Sequence, residues 1–188
     1  AKRIEGTFHV PLFLDKPEAG GRIVRGDDHK PRQNGWADFP FLVQVPKSVA
    51  ADTMGAPVLQ QTVAWGAHFP SEHPCYLGAL NRDQKYVRGV LSAYDLMFCV
   101  GADLLKMSVW SETEPLPETT AVAMLGQRDW EMGKNFPAEI ALRANVRETI
   151  RALIPVLKRL GGSALAENAQ VAVEALKKKN WSAQRAQR

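Results

Sequence analysis

The chain has 188 residues, 45% hydrophobic and 23% charged, an ordinary balance for one globular domain with room for a sizeable core. No run of eighteen apolar residues occurs, which excludes a single-pass helical membrane span. The formal charge of +4 sits in one place: residues 158–188 hold seven Lys or Arg against two Glu, while residues 1–157 hold 17 basic and 18 acidic side chains. A solvated helix end or interdomain linker accounts for that basic tail, and no nucleic-acid or membrane partner is expected from it.

Two cysteines, Cys75 and Cys99, do not make a disulfide framework, so a reducing, cytoplasmic setting is expected. The first residues lack both the apolar stretch of a signal peptide and an initiator Met, which suggests an excised piece.

In chain order, residues 1–38 are rich in Gly, Pro and charge and read as an irregular lead-in with one strand at 8–14. The regular domain is expected over 39–162. It begins with a short apolar strand at 41–45, a weak helix at 48–54 and a strand at 58–63. Asn81 and Gln84 have the spacing of a capping box, predicting a helix whose apolar face carries Val87, Val90 and Leu91. The runs 96–100 and 121–125 are apolar throughout, as a parallel strand covered on both faces requires. Residues 139–143 make a short last strand. Asn145 then caps a helix through Glu148, with Pro155 awkwardly inside it and Gly161-Gly162 as its stop. Residues 163–188 read as a basic helix leading towards a missing domain. The alternation predicts an α/β fold with a doubly wound, mainly parallel sheet and helices on both faces, in three layers.

Such a sheet binds ligands at the carboxyl ends of its strands. The segments expected there are Gln60–Gly66, Gly101–Asp103 and Gly126–Asp129, and none carries a dinucleotide or nucleoside triphosphate fingerprint. Asp103 reads as a loop cap more readily than as a ribose contact. His68 and His73 are five residues apart across Pro70, so no helix presents them together and no metal site is expected from them. Cys75 lies two residues from His73, but no orienting group or oxyanion site is visible for a nucleophile. Pro70 and Pro74 instead rigidify a loop that would aim His73 outward. Trp110 and Trp130 read as interface residues.

From Gly55 to about Leu160 the chain resembles the central domain of thiamine-diphosphate enzymes of the acetolactate synthase and benzoylformate decarboxylase type. The resemblance is carried by Gly55-Ala-Pro-Val58, Phe69-Pro-Ser-Glu-His-Pro74, Tyr94-Asp-Leu-Met-Phe-Cys-Val-Gly-Ala-Asp103, Pro115-Leu-Pro117 and Trp130-Glu-Met-Gly-Lys-Asn-Phe-Pro137. It implies a Rossmann-like domain of a larger, homo-oligomeric enzyme acting on 2-oxo acids as a C–C bond lyase or transferase. It further implies that thiamine diphosphate and Mg²⁺ are held by absent pyrimidine and diphosphate domains, because no Gly-Asp-Gly occurs here. Some relatives bind FAD or ADP on this domain. The glycine cluster and Gly-Met-His-Gly of the FAD binders are absent, and Gly126-Gln127-Arg128 replaces their acidic stretch, so FAD is not expected. His-Pro-Cys at 73–75 implies a share in the parent's active site for His73. By this reading the isolated chain is an inactive scaffold, with a nucleotide-binding regulatory module or a purely structural oligomerisation domain as the alternatives.

Overall fold

Among the described residues six strands, all parallel, form one sheet in the spatial order β3-β2-β1-β4-β5-β6. They are β1 (Leu12–Leu14), β2 (Val58–Gln60), β3 (Tyr76–Ala79), β4 (Leu96–Val100), β5 (Ala121–Gly126) and β6 (Ile140–Arg143). The computed structural model describes residues 12–14, 47–61, 68–107 and 110–187. The strand expected at 41–45 lies outside them, as do 8–11 and 62–63. The strand order reverses between β1 and β4, the topological switch point of a doubly wound sheet. Leu12–Leu14, from the stretch read as lead-in, therefore lies at the centre of the sheet, paired with β2 on one side and β4 on the other.

Alternation along the strands divides the core into two layers. Val58, Phe98 and Val100 face one cluster, together with Ala50 and Ala51 of α1 (47–54) and Val146, Ile150 and Leu176 of α3 (Val146–Lys177). Leu59, Met97, Cys99, Val122 and Met124 face the other, against Val87 and Leu91 of α2 (Gln84–Leu91). The Val, Leu, Ile and Met side chains among these contribute about 1.5–3 kcal/mol each where fully buried. The result is three layers, as the alternating pattern predicts. No helix among the described residues is long and apolar enough to cross a membrane.

Several local expectations change. Tyr76–Ala79 reads as loop in the sequence but is an edge strand: two prolines and Gly78 conceal its alternation. Helix α2 starts later than the Asn81 capping box predicts. Asp83 is its cap, accepting the Tyr86 N–H at 3.0 Å, while Asn81 Oδ1 accepts the Asp83 N–H in the preceding turn. An acidic cap adds a favourable charge at the helix N-terminus, which Asn81 could not. The Asn145 cap is present, through the Glu148 N–H at 3.1 Å.

Pro155 lies inside α3 without breaking it. Both Pro155 and Arg151, whose carbonyl loses its donor, are exposed, so water can satisfy that carbonyl. The break falls instead at Gly162 (φ 57°, ψ −149°). Beyond it the helix packs back on the domain through Ala169, Val173 and Leu176, followed by α4 (Trp181–Ala186).

Candidate functional sites at the two ends of the sheet

The amino ends of β2 and β3 carry the loop that contains His73. Helix α1 runs antiparallel to the strands, so its last turn brings Asp52 to this edge. Gly55 (φ +60°) then turns the chain into β2, and a Cβ there would lie 2.8 Å from Ala169 Cα. The 68–75 loop folds on itself through His73 N–H to the Pro70 carbonyl at 3.1 Å and Tyr76 N–H to the His73 carbonyl at 3.0 Å.

His73 does not point outward as the loop's prolines suggest. Its side chain is 13% exposed, its Nε2 lies 3.4 Å from Asp52 Oδ2, and its ring meets Phe69 edge-on at 5.0 Å. Nδ1 accepts the Cys75 N–H at 3.2 Å, which assigns the neutral ring's proton to Nε2, facing Asp52. Cys75 is fully buried, with Sγ 3.9 Å from Asp52 Oδ1. Burial first, then the charge and hydrogen bond of Asp52, push its thiol up to about 12. Such a thiol is no nucleophile at neutral pH.

Helix α4 holds this loop from the outside. Asn180 caps α4 through the Ala183 N–H at 2.9 Å and reaches the His73 carbonyl at 3.5 Å. Ser182 donates to Glu72 at 2.5 Å and Arg185 lies 3.4 Å from the same carboxylate. Trp181 lies over Gly78 (φ +104°), where a Cβ would stand 3.1 Å from the indole.

The carboxyl ends of β4 and β5 carry a charged network instead. Asp103 is buried, ion-paired with Arg128 and 3.1 Å from Lys106 Nζ, whose own pKa is raised chiefly by that hydrogen bond. Lys106 also lies 3.7 Å from Glu131, and Lys134 lies 3.5 Å from the same residue. Leu105, which follows Asp103 in the chain and is buried in the apolar cluster beneath, has φ 41°, a strained left-handed backbone for a residue with a Cβ. Asp103 is thus a paired group rather than an open ribose acceptor.

His68 is also buried. Its Nε2 has no hydrogen-bond partner among the described residues, and burial together with the nearby Lys47 charge lowers its pKa to about 4. It is held neutral.

Trp110 and Trp130 are 82% and 64% exposed, the open surface that an interface reading requires. The structure thus keeps His68 and His73 in different settings and brings His73 together with Cys75 and Asp52. Asp52 is the residue that sequence reasoning missed. It lies 21 positions before His73 in a weak helix, and only the turn at Gly55 closes that distance. The Arg128 partner of Asp103 had one available signal, a basic residue just after a strand end beside another strand's Asp.

Residues 48–153, more than half of the chain, match the sequence profile of the family described as thiamine pyrophosphate enzyme, central domain. The chain belongs to that family. A comparison with curated proteins finds no match. Among solved structures, an X-ray structure described as a thiamin diphosphate-dependent enzyme isolated from Mycobacterium smegmatis is similar in fold, with TM-score 0.60 and 24% identity. The thiamine diphosphate-dependent 4-hydroxybenzoylformate decarboxylase of Rhodococcus jostii RHA1 follows at 0.58 and 20%. The benzoylformate decarboxylase of Polynucleobacter necessarius stands at 0.58 and 15%. In each case the similarity covers 79% of this chain and 24% of the other. The chain therefore spans about a quarter of the length of the structures it matches.

Proposed function

We propose that this chain is the middle domain of a larger thiamine-diphosphate- and Mg²⁺-dependent enzyme, and that it serves as a scaffold without a thiamine site of its own. The parent makes or breaks a C–C bond beside the carbonyl of a 2-oxo acid, in the manner of an acetolactate synthase or a 2-oxo acid decarboxylase. Thiamine, bound by the parent's other domains, supplies the carbanion stabilisation. Family membership over residues 48–153 and the quarter-length coverage of the matched structures support this reading.

The observation that carries the scaffold claim is the pairing at the carboxyl edge. A Mg²⁺-diphosphate site needs free oxygen ligands. The buried carboxylate Asp103 is already taken by Arg128 and Lys106, and the sequence has no Gly-Asp-Gly. The residues present do not fit the cofactor. The same pairing, with the missing glycine cluster, supports a domain that binds no FAD.

His73 fits a structural part better than a proton relay, because Nδ1 is engaged by the Cys75 N–H within the loop and Nε2 faces Asp52 of α1. The open faces around Trp110 and Trp130 suit contact with the parent's other domains or a second subunit in a cytoplasmic oligomer. Aryl 2-oxo acids are the substrate class to try first on the parent, since two of the matched structures are named for them.

Two measurements test this reading. The 188-residue chain with thiamine diphosphate, Mg²⁺ and benzoylformate or pyruvate is expected to release no CO₂ above the blank, and turnover would overturn the scaffold claim. The coding sequence on either side is expected to add a downstream Gly-Asp-Gly followed at a distance by Asn; flanks without it would overturn the enzyme reading.

A further inference from the structure

The geometry points to a binding site for a thiophilic divalent cation, of the Zn²⁺ or Co²⁺ kind, formed by Asp52, His73 and Cys75 at the amino edge of the sheet. One carboxylate oxygen, one imidazole nitrogen and one sulfur lie within 4.8 Å of one another. Metal–ligand bonds of about 2.0–2.3 Å in tetrahedral geometry place neighbouring ligands roughly 3.3–3.8 Å apart. Without a metal, His73 Nε2 lies 3.4 Å from Asp52 Oδ2, at that spacing, and Cys75 Sγ lies 3.9 Å from the other oxygen, Oδ1, slightly beyond it, so a small inward shift of the carboxylate completes the set.

The set is mixed nitrogen, sulfur and oxygen, which selects Zn²⁺ or Co²⁺ over Mg²⁺ or Ca²⁺. Three protein ligands leave a fourth position for water. The Asp52 side chain is 54% exposed, so the cation enters from the solvent side while the buried sulfur closes the back.

The ligands are held by rigid parts. Asp52 belongs to α1, while His73 and Cys75 flank Pro74 in a loop that α4 clamps through Asn180. Absence of a metal signature in the sequence reflects the distance from Asp52 to His73 along the chain and not the geometry of the fold.

Binding moves two protons. The Cys75 sulfur loses its proton to solvent and bonds the metal as a thiolate. Nε2 of His73 gives up its proton to ligate, and the neutral ring carries its proton on Nδ1. That nitrogen now faces the Cys75 N–H, so the present hydrogen bond of 3.2 Å must open. One lost hydrogen bond weakens affinity on the order of tenfold. Each metal ligand contributes more than that, since even the outer partners of ligands are worth about 10–100-fold. The buried thiol, pushed up to about 12, must also be ionised on binding, so affinity should rise steeply with pH. The site is independent of the enzyme reading.

The experiment is a Co²⁺ titration of the 188-residue chain under reducing, anaerobic conditions, read by sulfur-to-cobalt charge-transfer absorption. One Co²⁺ per chain is expected, with added Zn²⁺ displacing the signal. Cys75→Ser should abolish the band, Asp52→Asn should weaken affinity about tenfold or more, and Cys99→Ala should leave the band in place. No thiolate band with the wild-type chain would overturn the proposal, as would a band surviving Cys75→Ser. If Cys75→Ser fails to fold, an unchanged affinity in Asp52→Asn, whose side chain is half exposed, overturns it equally.

Discussion

The two ends of this sheet are built on opposite principles. At the amino end, Asp52, His73, Cys75, Asn180 and Trp181 come from three segments far apart in sequence and meet through close backbone packing, with Gly55 and Gly78 allowing the approach. At the carboxyl end, Asp103, Lys106, Arg128 and Glu131 follow two adjacent strands and meet through charge. The doubly wound fold reserves its carboxyl end for ligands. Here that end has satisfied its own carboxylate, and the end that the fold usually leaves to structure holds the mixed ligand set. The difference teaches that position in the fold offers a site, and local pairing decides whether it is open.

The largest expected effect breaks the packing side of that contrast. Gly55→Ala places a Cβ 2.8 Å from the Ala169 backbone at a residue with φ +60°. Left-handed strain and overpacking together should cost roughly 3 kcal/mol in urea unfolding. A loss below about 1 kcal/mol would show that α3 yields easily and that the amino end is not close-packed.

The next effect is read by pH, at a buried group outside both networks. His68 has a folded pKa of about 4 against 6.5 for the free side chain. The folded state then binds fewer protons than the unfolded one between those values. Stability is full above pH 6.5 and falls as the pH drops towards 4, by roughly 3 kcal/mol from this group. His68→Phe should flatten that part of the acid limb, measured as Tm against pH. An acid limb unchanged in the variant would remove His68 from the account.

A smaller effect is expected at the charged network. Arg128→Ala leaves buried Asp103 with Lys106 as its remaining described partner. Breaking a fully buried pair costs about 3–5 kcal/mol. The Arg128 side chain is 37% exposed and Lys106 is 53% exposed, so solvent screening reduces the loss to about 1–2 kcal/mol. High salt should shrink it further. A salt-independent loss would mean that Arg128 acts through packing of its stem rather than through charge.

Much of the fold was legible before the structure. The apolar runs at 96–100 and 121–125 were readable as parallel strands because five consecutive apolar residues bounded by Gly101 and Gly126 are too short for a buried helix and suit a strand covered on both faces. The Asn145 cap was readable because capping is local chemistry. Tyr76–Ala79 was not readable, because its strand identity depends on pairing with β2 and its own four residues show too little alternation. Helix α2 was placed but its first residue was not, since Asn81 and Asp83 both suit a cap. The motif residues around His73 could be named, yet their state could not. Whether His73 points to solvent or to Asp52 is settled by a contact across 21 residues, and no periodicity encodes that. The basic tail was legible as a helix, but its packing on the domain through Ala169, Leu176 and Trp181 was not, because that depends on the turn at Gly162.

The central claim is that this domain scaffolds a thiamine-dependent reaction without holding the cofactor. Calorimetric titration of thiamine diphosphate with saturating Mg²⁺ into the 188-residue chain tests it most directly. The account predicts no saturable heat at millimolar cofactor. A saturable isotherm with one cofactor per chain, lost on chelating the Mg²⁺, would contradict it.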